Sequence, residues 1–207
     1  MAVANYKEAN GHYPPAHILG PDGRPWHSWR VLLLPYLEHQ DLFKEYDFSQ
    51  PWDGPRNRRL AERMPKVYAF HGGDTPGNTT SNYLTVVGPE TVWPGSLTAS
   101  GEAVSDSQRA TIVVVENLGA GVHWMEPRDL LIAGMDFAIN SPGGVSSRYS
   151  DPGVAMLDGS LYRLKKDISP ETLRALLTIG GGEPVESDGA GGWEWLPDGR
   201  QRPIRQP

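Results

Sequence analysis

The sequence contains no cysteine, no long hydrophobic run and no excess of positive charge. The absence of cysteine excludes disulfide bonds, thiol catalysis, zinc fingers and iron–sulfur clusters. No stretch approaches the ~18 consecutive apolar residues of a membrane-spanning helix, so this sequence predicts no segment that crosses a bilayer. Lysine and arginine number 19 against 25 acidic residues, and the net charge of −6 argues against a general nucleic-acid-binding protein.

Glycine and proline are abundant instead. The 24 glycines and 19 prolines make up about a fifth of the 207 residues, compared with a background of roughly 12%. They lie in clusters between short apolar runs, which predicts a folded domain with long loops. We expect a single domain over residues 1–182 and a Gly/Pro-rich tail over residues 183–207.

Helical patterns dominate the first third of the chain and return near its end. Helices are predicted at residues 1–10, 29–43, 55–64 and 170–179. The first ends at Asn10-Gly11 and has no visible beginning, so we interpret it as the end of a truncated helix. Ser28 and Ser169 are suitable N-caps, and Pro35 predicts a kink. The proline-rich residues 11–27 predict a loop.

Strand patterns occupy the middle of the chain. They are predicted at residues 67–70, 83–87, 111–115, 154–157 and 160–164. The nearly continuous apolar run at 111–115 indicates a central strand. Asp158-Gly159 separates the last two runs and predicts a hairpin in which both residues have positive φ. Because helices precede strands, the order favours an α+β fold in which N-terminal helices pack on a mainly antiparallel sheet, with a short C-terminal helix.

Motifs of known enzyme classes are missing. The sequence has no Gly-x-Ser-x-Gly, no Walker loop and no His-Glu-x-x-His, so we predict that the protein is not an enzyme. No cofactor is expected. Calcium is the one alternative, because Asp-Gly pairs offer loop oxygen atoms, although turn formation explains each pair as well. These pairs begin at Asp22, Asp53, Asp158, Asp188 and Asp198.

One segment, residues 116–129, is unusually dense in functional side chains. The candidate ligand-binding residues are Glu116, His123, Trp124, Glu126, Arg128 and Asp129. Acids, a histidine and an arginine beside a tryptophan ring could line a pocket for a polar ligand. Alternatively, an Arg–carboxylate clamp pins this long loop and Trp124 packs beneath it.

Several segments in the same order resemble a known family. They are residues 5–16, residues 27–38 with the block Ser28-Trp29-Arg30, residues 46–55, and Leu157-Asp158-Gly159-Ser160. These segments resemble the planctomycete pilin-like family of unknown function, domain of unknown function 1559. Its members are prepilin-type proteins with a C-terminal His-x9-Asp-Gly signature. The resemblance implies a pilin-like α+β domain exposed in the cell envelope, and no reaction.

The chain departs from that family pattern in three places. The leader and apolar anchor helix of the family do not precede residue 1 in this sequence. Arg148 stands ten residues before Asp158, where the signature has histidine. Residues 70–74 replace a Cys-Pro-Ser-Asp stretch that relatives often carry.

Together, the residues and the resemblance predict a non-catalytic module that acts through protein–protein contact or assembly. The expected location is the periplasm or cell surface, with a membrane connection only through the missing N-terminal helix. The expected partners are envelope, pilus or secretion-system proteins, and nucleic acid is not expected. The alternative function is an extracytoplasmic binding module for a carbohydrate or another polar solute.

Overall fold

The computed structural model describes residues 2–70, 75–182, 185–187 and 192–195. Its helices and strands form an α+β fold, as predicted. The α-helices are α1 (Ala2–Asn10), α2 (Trp29–Leu32), α3 (Gln40–Glu45) and α4 (Pro170–Leu177). The strands are β1 (His17–Leu19), β2 (Pro25–Ser28), β3 (Thr80–Ser81), β4 (Tyr83–Leu84), β5 (Val86–Val87), β6 (Ile112–Glu116), β7 (Val122–His123), β8 (Leu130–Leu131), β9 (Gly153–Met156), β10 (Leu161–Arg163), β11 (Val185–Ser187) and β12 (Trp193–Trp195). None of the described helices is long and apolar enough to cross a bilayer.

The central element is a four-stranded antiparallel sheet in the order β10-β9-β6-β4. The inner strand β6 confirms the prediction of a central strand, because both of its faces are largely buried. Four further strand pairs surround this sheet: β1–β2, β3–β7, β11–β12 and β5–β8. Among the described pairs of strands only β5–β8 is parallel, so the sheet structure is mainly antiparallel.

The two faces of the central sheet belong to two different hydrophobic clusters. On one face, Val115 and Met156 pack with Leu173 and Leu176 of α4. On the other face, Val113 and Leu157 share a cluster with the helical N-terminal part of the chain. Coverage of this second face is incomplete, since the side chain of Leu161 is 78% exposed. We call it the open face.

The predicted helix at 29–43 is three short helices. These are α2, a 3-10 helix at Leu34–Leu37 and α3. Pro35 lies in the 3-10 helix, and Glu38 then takes a left-handed conformation with φ of 64° that ends it. The α1 helix is confirmed and packs on the 3-10 helix, with the rings of Tyr6 and Tyr36 5.6 Å apart.

Two further local predictions are wrong. The segment 67–70 is not a strand, because Lys66–Tyr68 forms a 3-10 helix and the Tyr68 hydroxyl donates to the carbonyl of Arg30. The short helix predicted at 55–64 is present as a 3-10 helix at Asn57–Arg63. The loop predicted at 11–27 contains the β1–β2 hairpin, where Asp22 accepts a hydrogen bond from the Arg24 amide in the turn.

The predicted hairpin near the end of the sheet is confirmed as β9–β10. Its turn differs from the prediction, since only Gly159 of the Asp-Gly pair has a positive φ, of 90°. The Gly159 amide donates to the Met156 carbonyl, and the Met156 amide donates to the Ser160 carbonyl. These bonds define a three-residue loop that needs a single left-handed residue.

The C-terminal helix is confirmed by its cap. The Ser169 hydroxyl accepts a hydrogen bond from the Thr172 amide, and Pro170 occupies the first helical turn. Within the predicted tail, β11 and β12 pair antiparallel beside α4. The remaining tail residues, 183–184, 188–191 and 196–207, lie outside the described residues. Residues 71–74, in the segment that replaces the Cys-Pro-Ser-Asp stretch of relatives, lie outside them as well.

Replacement of Gly159 by alanine tests the turn. A left-handed backbone costs an L-residue about 1–2 kcal/mol, so Gly159→Ala is expected to lower the free energy of unfolding by that amount. Gly134→Ala is the control, because a Cβ there meets no atom within 4 Å and its φ is not positive. Urea denaturation measures both variants, and equal losses of stability would contradict this view of the turn.

Candidate functional site

A fully buried ion pair joins the start of α2 to the loop that precedes β8. The Arg30 guanidinium donates to the Asp129 carboxylate at 2.6 Å, and the two side chains are 0% and 2% exposed. Arg30 also donates to the Tyr83 carbonyl at 3.0 and 3.1 Å and to the Ser28 hydroxyl at 3.0 Å. The pair therefore links α2, β4 and the 129 loop through one guanidinium.

The carboxylate of Asp129 accepts further hydrogen bonds from residues close to Arg30. Oδ1 accepts hydrogen bonds from the indole nitrogen of Trp29 at 3.2 Å and from the Thr85 amide at 2.9 Å. Burial raises the pKa of Asp129, while the Arg30 charge and these donors favour the ionised form. The Thr85 amide is thereby turned away from a strand partner, and the predicted strand 83–87 divides into β4 and β5.

Most of the predicted site residues participate in internal contacts of this kind. Trp124 is completely buried and donates its indole N–H to the Ala61 carbonyl at 2.9 Å, so its ring offers no face to a ligand. Arg128 pairs with Glu126 at 2.6 Å and donates to the carbonyl groups of Ala120 and Gly121. This arrangement is the geometry of the clamp alternative.

His123 is joined to this clamp by its backbone amide, which donates to Glu126 Oε2 at 3.1 Å, and its ring lies in a partly exposed aromatic pair. Its ring is 5.0 Å from that of Trp52, and its Nδ1 accepts a hydrogen bond from the Met125 amide at 3.2 Å. Burial lowers the pKa of His123, although the nearby Glu126 carboxylate opposes this shift. The pair is an aromatic surface at the rim of the clamp loop.

A cleft of about 610 Å³ lies on the open face of the sheet, beside the first turn of α1. Its lining includes the aromatic rings of Trp29, Tyr68 and Tyr83 and the aliphatic side chains of Val114 and Leu161. Of the six predicted site residues, Glu116 lines this cleft and the other five do not. The volume lies in the range of ligand pockets, about 300–1,000 Å³. We call it the open-face groove.

Strand register explains which residues meet in the groove. Glu116 is paired with Tyr83 on one side, and Gly153 is paired with Arg163 on the other. The Gly153 amide donates to Glu116 Oε2 at 2.7 Å, so the carboxylate of Glu116 lies over the glycine of the adjacent strand. Residues paired across a sheet point to the same face, and these four residues therefore form one row.

The second row of the groove is apolar. Two residues further along each strand, Val114 pairs with Ala155, and Ala155 pairs with Leu161. Sequence analysis found Glu116 but missed the groove, because its other residues are scattered over β4, β9 and β10. The signal that could have found them is the alternation of apolar and polar residues along each strand, and this signal is weak in strands of two to four residues.

No metal site is found within the described part of the chain, where no group of three or more histidine, aspartate or glutamate side chains could hold an ion. The Asp-Gly carboxylates have protein partners instead. Asp22 pairs with Arg24, and Asp158 accepts hydrogen bonds from Ser160. Asp53 lies 3.9 Å from Arg58. The predicted alternatives Asp188 and Asp198 lie outside the described residues.

The sequence profile of a family described as "Protein of unknown function (DUF1559)" matches residues 1–124. The chain belongs to this family. No curated protein and no solved structure matches the chain. Membership in DUF1559 confirms the resemblance noted in the sequence, while the planctomycete origin and the prepilin-type, pilin-like character stay predictions.

The part of the chain that matches DUF1559 ends inside the clamp loop. It includes Arg30, the central strand β6 and Glu116. Asp129, β9, β10 and α4 lie beyond the matched residues. The DUF1559 segment therefore supplies one partner of the buried ion pair and one side of the open-face groove, and the remainder of the chain completes both.

Removal of one partner from the buried ion pair is expected to be strongly destabilising. Arg30→Met leaves the Asp129 carboxylate buried without its charge partner, which costs about 3–5 kcal/mol. The double variant Arg30→Met/Asp129→Leu is expected to lose less than the sum of the two single losses. Urea denaturation of the four proteins measures this coupling.

The matched control is Arg24→Met, which breaks the exposed pair with Asp22, where the arginine side chain is 81% exposed. An exposed pair contributes about 0–1 kcal/mol, so this variant is expected to unfold nearly as the parent does. Additive losses in the double variant would show that Arg30 and Asp129 act independently and would contradict this description.

Because His27 is buried, we predict that the protein is less stable in mild acid. Its side chain contacts the hydroxyl of Tyr46 at 2.9 Å and the ring of Phe48 at 4.9 Å. Burial lowers the pKa of His27, and the Phe48 carbonyl and the Asp47 carboxylate only partly oppose this. The unfolded chain therefore binds the proton more readily, and the free energy of unfolding should decrease as the pH falls below about 6.5.

Urea titrations of the parent and of His27→Phe between pH 7.5 and pH 5 measure this effect. The variant loses the bond to Tyr46 and is expected to be less stable at pH 7.5, but its stability should depend less on pH across that interval. An identical pH dependence in the two proteins would assign the acid sensitivity to other groups.

Proposed function

We propose that this protein is a non-catalytic module that acts through protein–protein contact, with the open-face groove as its contact surface. The observation that carries the proposal is the unequal coverage of the central sheet. Helix α4 covers one face, whereas the open face presents an apolar groove of about 610 Å³ with the 78% exposed Leu161 at its border. Exposed apolar surface of this kind typically marks a site of protein contact.

The edge of the sheet beside the groove supports the same proposal. Leu161 belongs to β10, the edge strand of the central sheet. Val67, which is 53% exposed and also lines the groove, adds to this apolar surface. An apolar segment of a partner protein that lay in the groove would bury both side chains, and its aliphatic residues would replace water over Val114 and Ala155.

The use of functional side chains inside the fold favours contact over catalysis. Asp129, Glu126 and Arg128 are held in ion pairs within the chain. His27 is buried against Tyr46. Such contacts stabilise loops and leave these groups committed to neighbours in the fold.

Resemblance to prepilin-type proteins supports a location in the periplasm or at the cell surface. On that basis the proposed partners are other envelope, pilus or secretion-system proteins. The alternative function, binding of a polar solute, would use the half-exposed pair of Trp52 and His123. We favour the contact function because the open-face groove is mainly apolar along its second row, where Val114, Ala155 and Leu161 lie.

Site-specific photo-cross-linking tests the proposed contact. A benzophenone amino acid replaces Leu161 in the full-length protein, in cells that produce it, and mass spectrometry identifies the cross-linked protein. We expect a defined cross-link to an envelope protein, because Leu161 borders the groove. The same amino acid at Leu97, 69% exposed and not part of the groove, is the matched control.

The expected result is a product at position 161 that is missing at position 97. A second copy of this chain as the cross-linked partner would also support contact, in the form of self-assembly. No product at position 161, or the same products at both positions, would overturn the proposal.

A further inference from the structure

Glu116 carries a buried carboxylate that, among the residues the structure describes, has a single hydrogen-bond donor. Its side chain lines the open-face groove, although the residue is only 4% exposed. Oε2 accepts the hydrogen bond from the Gly153 amide. Within the described part of the chain, no lysine, arginine or histidine nitrogen approaches this carboxylate within 4.0 Å.

Two arginine side chains near Tyr83, the residue paired with Glu116, have other partners. Arg163, in the same row of the sheet and in the lining of the groove, donates to the Asp151 carbonyl at 3.0 Å and lies over the ring of Tyr149. The guanidinium of Arg148 lies 5.1 Å from the ring centre of Phe70. Among the described residues, therefore, no direct ion pair compensates the Glu116 carboxylate.

Burial of an ionised carboxylate is unfavourable unless a cation or several donors compensate for its lost hydration. We infer that the open-face groove selects a partner segment that brings a primary ammonium group, such as a lysine side chain, to Glu116. This inference rests on the proposed contact function and specifies its chemistry. The partner supplies the ion-pair partner that Glu116 lacks among the described residues, since the guanidinium of Arg163 in the groove lining is engaged elsewhere.

The geometry favours an ammonium over a guanidinium. A guanidinium binds best when both carboxylate oxygens are available as acceptors. In Glu116 the Gly153 amide already occupies Oε2. A Cβ at residue 153 would lie only 2.9 Å from Oε1, so the glycine provides the space in which that second oxygen sits. One free oxygen suits a compact ammonium donor.

The apolar second row specifies the rest of the partner segment. Val114 and Ala155 lie two residues from Glu116 and Gly153 along their strands, a separation of about 6.6 Å. An aliphatic chain of five or six carbon atoms attached to the ammonium spans about this distance. The groove therefore fits a lysine whose neighbouring side chains in the partner are aliphatic.

Small probes test this inference on the isolated protein. The probes are hexylammonium, 1-hexanol and hexanoate, which share one aliphatic chain and differ in charge. Binding is followed by titration of the backbone amide NMR signals of Gly153 and Ala155, which lie beneath the groove. A charge-assisted hydrogen bond predicts that hexylammonium binds at least about tenfold more tightly than hexanol, and that hexanoate binds least.

Glu116→Gln is the matched variant, because the amide oxygen can still accept the hydrogen bond from Gly153. We expect hexylammonium to lose its advantage in this variant, while hexanol binds as it does to the parent. Equal binding of hexanol and hexylammonium to the parent, or an unchanged preference in Glu116→Gln, would overturn the ammonium inference and leave the apolar contact surface standing. No binding by any probe would overturn the ammonium inference and count against the groove as a contact surface as well.

Discussion

The structure depends on one buried ion pair, between Arg30 and Asp129. The guanidinium fixes the first turn of α2 against the Tyr83 carbonyl of the central sheet, and the carboxylate draws the Thr85 amide away from strand pairing. The indole N–H of Trp29 donates to the same carboxylate, and the centre of the Trp29 ring lies 5.3 Å from that of Trp93. A charged pair in a nearly water-free interior holds these elements in one register, because any other alignment leaves a charge unpaired.

The two faces of the central sheet are covered unequally. The N-terminal helical segment covers only part of one face, where Val114, Ala155 and Leu161 border an open groove. The amphipathic helix α4 packs on the opposite face, where its Leu173 and Leu176 side chains are completely buried. Function is therefore proposed for the surface that the chain leaves incompletely packed, and the ammonium selectivity that we infer for it rests on the buried carboxylate of Glu116.

Elements with strong local signals could be predicted. In three elements the signal and the structure that it predicts lie within about ten residues of each other. These are the apolar run of β6, the Ser169 cap of α4 and the apolar runs on both sides of Asp158-Gly159. Local patterns failed where distant groups compete. The β-branched and aromatic residues at 67–70 resemble a strand, yet Tyr68 is directed inward by its hydrogen bond to the Arg30 carbonyl. Tertiary packing outweighs propensities of well under 1 kcal/mol per residue.

The sequence by itself determined the class of fold and the membership in DUF1559 over residues 1–124. These properties follow from residue types and short-range order, which folding does not change. Only the tertiary structure separated Glu116 from the five residues predicted beside it. Strand register placed Glu116 beside Gly153, while ion pairs engaged Glu126, Arg128 and Asp129, burial enclosed Trp124 and an aromatic contact with Trp52 engaged His123. Register joins residues far apart in the chain, and no local pattern encodes it.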